Sequence, residues 1–167
     1  NIVSAVALAL SIGMPIETIL AALKTTPQIT HRLEVKHFVD GPSVIDDAYN
    51  SNPAGFEAAL DVLGVLAKAK GGRAILVTPG MVELGALHDK EHARLGKKAA
   101  EICDEIVLIG AGRIPTFAKA VKDSGKMYHY FDSFAQAKEW LNQESKIKDV
   151  ILYENDLPDL YENSVRL

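Results

Sequence analysis

Apolar positions in the first 28 residues recur at helical spacing and predict two short helices. The first stripe ends before Gly13, and Pro15 stands near the start of the second, where a missing N–H costs little. The two stripes are Val3, Val6, Ala7 and Leu10, and then Ile16, Ile19, Leu20 and Leu23. Residues 25–28 follow as a linker.

After the linker, short apolar runs alternate with amphipathic segments. The runs predict six strands, at residues 33–39, 43–47, 74–77, 105–109, 127–131 and 149–153. Helices are predicted from Pro53, Asp89 and Pro115, and a fourth is capped by Ser133. Such alternation is typical of an α/β fold, a Rossmann-like, mostly parallel sheet of about six strands with helices on both faces. We expect a boundary that separates the helical residues 1–30 from the α/β domain of residues 31–167.

Composition narrows the class of protein. The chain has 167 residues, 48% of them hydrophobic, and a net charge of -4, so we expect one folded domain and no nucleic-acid partner. The apolar start is too short to span a bilayer, and no membrane partner is expected. Because residue 1 is Asn and not an initiator Met, we expect the chain to be a piece of a longer protein.

Cys103 is the single cysteine, which fits a reducing compartment, and we expect a cytoplasmic protein. Its neighbours Ile102 and Ile106 indicate a buried helix end. With no activating base nearby in sequence, a structural thiol is favoured over a nucleophile.

In a parallel sheet, ligands bind beyond the carboxyl ends of the strands, and the polar cluster of residues 46–53 lies at such an end. Asp46 could hold ribose hydroxyls, while Asn52 is also well placed to cap the next helix. Arg32 is suited to phosphate but could equally be a solvated charge. We expect neither Arg32 nor Asp46 to belong to the core.

Other motifs are weaker. Gly80 and Gly85 bracket Glu83 in a loop where backbone could approach a ligand, or which could be an ordinary turn. His88 and His92 share a helix face without an evident third zinc ligand, so no metal site is predicted. Residues 110–112 are a tight turn that only partly matches a dinucleotide-binding fingerprint, and the sequence contains no P-loop.

Together, these motifs resemble the Mur ligase family of ATP-dependent ligases that build peptidoglycan precursors. Residues 31–34 are similar to its Gly-Arg-Leu/Met-Glu element, residues 80–85 to its Gly-Asp-Met-x-Glu-Leu-Gly loop and residues 92–96 to its His-x-x-x-Gly element. Residues 46–53 resemble the Asp-Asp-x-Tyr-Asn-Ala-Asn-Pro motif of the branch that adds D-alanyl-D-alanine to the muramoyl tripeptide. Asn1 and the first helix resemble the end of the family's central domain.

The resemblance implies an ATP-binding set and a substrate-binding set. The first is Arg32, Asp46, Tyr49 and Asn50, and the second is Asn52, Glu83, Gly110 and Arg113. It implies a ligase that phosphorylates a substrate carboxylate with ATP and then joins an amine to it. The partners are the protein's N-terminal and central domains, a UDP-muramoyl peptide and an amino acid or dipeptide, with Mg²⁺ held mainly by the central domain. No residue of this chain is predicted to be catalytic, and the chain alone is predicted to be inactive.

Three positions depart from the family pattern. His31 replaces Gly, Pro79-Gly80 replaces Gly-Asp, and residues 153–158 replace a Lys-Gly-Ser element with acidic and amide groups. Two alternatives therefore stay open: a ligase of the same superfamily with a different amine substrate, and a non-catalytic interaction domain that kept the fold.

Overall fold

The computed structural model describes residues 2–155, so Asn1 and residues 156–158 of the replaced Lys-Gly-Ser element lie outside the described residues. The chain begins with two helices, α1 (Ile2–Ser11) and α2 (Ile16–Thr25). The apolar stripe of α1 contains no buried residue, and only Ile19 is buried in α2. Of the described helices, none is long and apolar enough to cross a membrane.

The α/β body contains the six predicted strands and four more helices. The strands are β1 (Glu34–Lys36), β2 (Ser43–Asp47), β3 (Ala74–Thr78), β4 (Glu105–Ile109), β5 (Tyr128–Phe131) and β6 (Val150–Glu154). The helices are α3 (Pro53–Lys70), α4 (His88–Ile102), α5 (Pro115–Asp123) and α6 (Phe134–Glu144). The predicted α/β fold is confirmed.

The strands form one sheet in the order β1-β2-β6-β3-β4-β5. All neighbouring strands are parallel except β1, which pairs antiparallel with β2. β6 lies between β2 and β3, and Asp47 and Glu154 are paired residues at the carboxyl ends of β2 and β6. The ends of β2, β6 and β3 are therefore side by side, which is where ligands bind in open α/β sheets.

Two apolar clusters cover the two faces of the sheet. The larger joins the sheet to α3, α4 and α5 through Phe56, Leu60, Leu95 and Phe117, which are fully buried. The smaller lies under α6, where Ala137 and Leu141 pack on Val77 and Val107. Helices on both faces are thus confirmed, three on one and one on the other.

Some predicted boundaries were wrong by one to three residues. β1 covers only residues 34–36 of the predicted 33–39. It begins after Leu33 because that residue has a φ of 52° and leaves the extended conformation. α4 ends at Ile102, and Cys103 is its extended cap residue. The predicted burial of that thiol is confirmed, because Cys103 is fully buried.

Candidate functional site

A strained turn carries Arg32 at the start of the α/β body. His31 and Leu33 have positive φ angles of 58° and 52°, which residues with a Cβ adopt far less readily than glycine. The Mur ligase element that residues 31–34 resemble has Gly at this position, and the φ of His31 is one that favours glycine. Such strain persists only where neighbouring contacts hold it.

The last residue of β2 and the loop after it supply those contacts. The Leu33 N–H donates to Asp47 Oδ1 at 2.9 Å, and the Tyr49 N–H donates to the His31 carbonyl at 3.2 Å. The Arg32 guanidinium lies over the Tyr49 ring, 4.4 Å from its centroid. Three of the residues predicted to bind ATP, Arg32, Asp46 and Tyr49, therefore lie on one turn and one adjoining strand end.

Asp46 is more enclosed than the sequence indicated. It is only 9% exposed, so the prediction that it lies outside the core was wrong. His31 Nδ1 is 3.0 Å from both of its carboxylate oxygens, and Lys36 Nζ donates to it at 2.7 Å. Burial opposes ionisation of Asp46, but the hydrogen bonds from Lys36 and His31 outweigh it and hold the pKa of the carboxyl below its ordinary value.

Of the other predicted site residues in the loop after β2, two are exposed to solvent and one caps a helix. Tyr49 and Asn50 are exposed. Asn52 is the N-cap of α3, and its Oδ1 accepts the Gly55 N–H at 3.0 Å. The capping role considered for Asn52 is thus confirmed, and its side-chain oxygen is already engaged in the helix end.

The loop after β3 carries Glu83 and is supported by a hydrogen bond to the buried His92. Glu83 is exposed, with a φ of 63°. His92 is fully buried, and its Nε2 accepts the Met81 N–H at 2.9 Å. Its Nδ1 is 2.8 Å from the His88 carbonyl, a distance that fits a donor. Burial lowers the pKa of His92, so the neutral imidazole supports the loop.

Within the part of the chain that is described, no group of three or more His, Cys, Asp or Glu side chains could hold a metal ion.

The turn after β4 packs against this same loop. Gly110 has a φ of 56°, and its N–H donates to the Phe131 carbonyl at 2.9 Å. Arg113 Nη2 donates to the Pro79 carbonyl at 3.3 Å, and the Arg113 carbonyl is 2.9 Å from His88 Nε2. Glu83, Gly110 and Arg113 thus belong to two adjoining loops, after β3 and β4, while Asn52 lies in the loop after β2, on the other side of β6.

Two residues that were not predicted as site residues connect these groups. The Asn155 N–H donates to the Asp47 carbonyl at 3.1 Å, and its side-chain Nδ2 donates to the Gly80 carbonyl at 2.6 Å. Glu154 is fully buried and accepts a hydrogen bond from Ser51 Oγ. Both follow directly from the placement of β6 beside β2, and the only signal in the sequence is their position where the family has Lys-Gly-Ser.

The site thus offers a cation on an aromatic face, an enclosed carboxylate and a set of exposed loop residues at the carboxyl ends of the strands. A guanidinium binds phosphate oxygens, and a carboxylate binds sugar hydroxyls. For Asp46 to accept such hydroxyls, His31 or Lys36 must share or release its oxygens. The residues present therefore fit a nucleotide with its phosphates near Arg32.

Comparison with known proteins bears on the family of the chain. Residues 31–153 match the family model described as Mur ligase, glutamate ligase domain. A UDP-N-acetylmuramoyl-tripeptide--D-alanyl-D-alanine ligase from Mycobacterium bovis is 38% identical over 117 residues, which cover 68% of this chain and 23% of that protein. The chain therefore spans about a quarter of the length of this curated relative.

A second relative and a solved structure extend the comparison. The UDP-N-acetylmuramoylalanine--D-glutamate ligase of Chromobacterium violaceum is 30% identical over 154 residues, covering 91% of this chain and 31% of that protein. The crystal structure of MurF from Acinetobacter baumannii aligns with a TM-score of 0.70 and 26% identity, covering 99% of this chain and 35% of that chain.

Proposed function

The chain belongs to the Mur ligase family, and we propose that it is the C-terminal domain of an ATP-dependent amide ligase of peptidoglycan precursor synthesis. The observation that carries the proposal is the Arg32–Tyr49 contact on a strained turn next to Asp46. Strain held in place by several contacts is typical of functional sites, where it fixes a side chain in position.

In this proposal, Arg32 binds terminal phosphates of ATP, Asp46 binds the ribose, and Tyr49 and Asn50 shape the nucleotide edge. The nucleotide supplies the phosphoryl group that activates a substrate carboxylate. Arg32 is exposed and already oriented by Tyr49, so little side-chain freedom is lost when it meets phosphate. Asn52, Glu83, Gly110 and Arg113 face the incoming amino acid or dipeptide.

The remaining parts of the reaction are assigned to other domains of the protein. The central domain supplies the P-loop and holds Mg²⁺, and residues 1–30 are its helical tail. The exposed apolar stripe of α1, with Val3 81% exposed, supports this, because such a surface is normally covered by a partner. Domain closure then excludes water and positions the amine. A cytoplasmic location follows from the proposed use of ATP and UDP-linked precursors.

For the incoming amine, a dipeptide is the first candidate. The Mycobacterium bovis relative is named as a D-alanyl-D-alanine ligase, while the Chromobacterium violaceum relative is named as a D-glutamate ligase. A different amine is favoured by one observation: Glu154 and Asn155 occupy the place of a Lys-Gly-Ser element.

The decisive experiment uses the full-length protein with ATP, Mg²⁺, a UDP-muramoyl peptide and a panel of amines. We expect phosphate release that depends on both the peptide and the amine, with D-alanyl-D-alanine the best amine. A different best amine from the panel, such as D-glutamate, would support the alternative ligase. Binding of the peptide without any ATP turnover across the panel would favour the non-catalytic interaction domain.

A further inference from the structure

The buried carboxyl of Glu154 has an unusual environment. Glu154 ends β6, and Asp47 ends the neighbouring parallel strand β2 as its paired residue, so both side chains point to the same face of the sheet. On that face Ser51 Oγ donates to Glu154 Oε1. The Thr78 hydroxyl fixes the strand end by donating to the Glu154 carbonyl at 2.9 Å.

The second carboxyl oxygen of Glu154 is without a hydrogen-bond partner among residues 2–155, although it is buried. A charged oxygen that is buried without a hydrogen bond destabilises the folded state, and buried polar atoms are therefore nearly always hydrogen-bonded. The ionisable side chain that acts on Glu154 is the carboxylate of Asp47, and two adjacent carboxylates cannot both be charged without a large repulsion. One of the two must therefore hold a proton.

The surroundings assign that proton to Glu154. Burial raises the pKa of Asp47 as well, but Asp47 Oδ1 accepts the Leu33 N–H, and the positive charge of Arg32 also favours the charged form. Glu154 is fully buried, and burial together with the charge of Asp47 raises its pKa to about 8, although the bond from Ser51 favours the charged form. A proton on Oε2 also gives this oxygen the partner that it lacks.

We propose that Glu154 is a positioning residue for Arg32: its neutral carboxyl donates from Oε2 to Asp47, which in turn holds the Leu33 N–H of the strained turn. The turn from His31 to Leu33 is held by contacts with residues 46, 47 and 49, and Asp47 provides the one that accepts the Leu33 N–H. Glu154 thereby links the end of β6 to the turn that presents the guanidinium. The inference deepens the proposed function, since it concerns the residue assigned to the ATP phosphates.

Two substitutions at Glu154, by Gln and by Ala, test whether the side chain acts as a neutral hydrogen-bond donor or as a charged or space-filling group. Gln places a carbonyl oxygen where Ser51 donates and an N–H₂ group where Asp47 can accept, so it copies the protonated acid. Ala removes both interactions. The matched control is Glu105→Gln, a buried carboxyl at the amino end of β4 that bonds Arg73 and His129 and has no contact with the turn.

The first measurement is amide hydrogen exchange across residues 28–36 in the full-length protein, without nucleotide. We expect Glu154→Ala to speed exchange of the Leu33 amide roughly tenfold, about what the loss of one net hydrogen bond produces. Glu154→Gln and Glu105→Gln should leave it near wild type. Unchanged exchange in a folded Glu154→Ala protein would overturn the inference, as would equal loosening in Glu154→Gln.

The second measurement is the pH profile of ATP-dependent turnover. The wild type should lose turnover as pH rises through about 8, where Glu154 ionises. Glu154→Gln should not show this alkaline limb, the fall in turnover above about pH 8. A wild-type limb that persists unchanged in Glu154→Gln would overturn the assignment of the proton to Glu154. If exchange loosens in Glu154→Ala while turnover stays normal, the positioning role stands and the ATP role of Arg32 fails.

Discussion

The imidazole of His31 lies 3.0 Å from both carboxylate oxygens of Asp46, and its backbone has a φ of 58°. One residue therefore combines two opposing effects, an attractive contact with an enclosed acid and a conformation that disfavours any side chain. The family's Gly at this position provides only the favourable backbone. Substitutions at His31 can separate the two effects.

His31→Gly is expected to be more stable than His31→Ala. Both variants lose the contact with Asp46, but only Ala keeps a Cβ in the left-handed region, which costs roughly 1 kcal/mol after allowing for the greater freedom of unfolded glycine. Urea denaturation of the two variants at neutral pH measures the difference. Equal stabilities would mean that the turn relaxes to a negative φ when the imidazole is removed.

The stability of the protein should depend on the ionisation of Glu154. Its pKa is raised from the ordinary 4.5 to about 8, so the folded state holds a proton that the unfolded state releases. The contribution of this group to the free energy of unfolding is fully present below about pH 4.5. It is lost as the pH rises through about 8. The stability of Glu154→Gln relative to wild type should therefore increase between pH 5 and pH 8.5.

The same comparison removes the effect of other groups. His92 has a lowered pKa, so its contribution is present above its ordinary pKa and declines as pH falls below it, opposite in sign to that of Glu154. Because both proteins contain His92, its effect cancels in the difference. A difference that stays constant with pH would show that Glu154 is already ionised at pH 5.

The elements of the fold were predictable from the sequence because periodicity reports which residues face a core. Strand order was not, because apolar runs do not record which strand pairs with which. The insertion of β6 between β2 and β3 is what brings Glu154 against Asp47. For the same reason, Arg32, Asp46 and Tyr49 could be selected by motif, whereas the enclosure of Asp46 by His31 and Lys36 required coordinates.

Cys103 should be chemically inert. Burial raises the pKa of its thiol to about 12, and the side chain is fully buried behind α4. Thiol reagents should therefore fail to modify the native protein, since the thiolate is the reactive form. In the full-length enzyme, Cys103→Ser should retain activity while losing roughly 1–3 kcal/mol of stability, because a hydroxyl replaces an apolar thiol. Cys103→Ala is the control, and loss of turnover in a folded variant would contradict this assignment.

The isolated 167-residue chain should not bind ATP measurably. The sequence contains no P-loop, so the contacts available to the phosphates are those of exposed side chains such as Arg32. Millimolar ATP should shift its melting temperature by no more than about 1 °C, because stabilisation requires a ligand concentration well above Kd. A rise of several degrees would show that this domain alone holds the nucleotide.

Arg32 and Asp46 should affect different kinetic constants of the full-length enzyme. Arg32→Ala removes a charge-assisted contact that strengthens as charge moves between phosphates, so turnover should fall roughly a hundredfold. Asp46→Asn keeps the shape of the side chain but weakens hydrogen bonds to neutral ribose hydroxyls, so the KM for ATP should rise roughly tenfold with less effect on turnover. The control is Arg94→Ala, whose guanidinium bonds Glu57 and Glu91 on the outer face of α3 and α4.

Steady-state kinetics with varied ATP, together with melting curves without nucleotide, distinguish binding from stability. Arg32 is exposed, so its variant should melt close to wild type. Asp46 is enclosed, and Asp46→Asn should lose some stability because Lys36 and His31 lose a charged partner. That loss alone cannot raise the KM of the folded fraction, so a raised KM assigns Asp46 to the nucleotide. Normal ATP dependence in both variants, with stability lost, would mean that these residues only hold the turn.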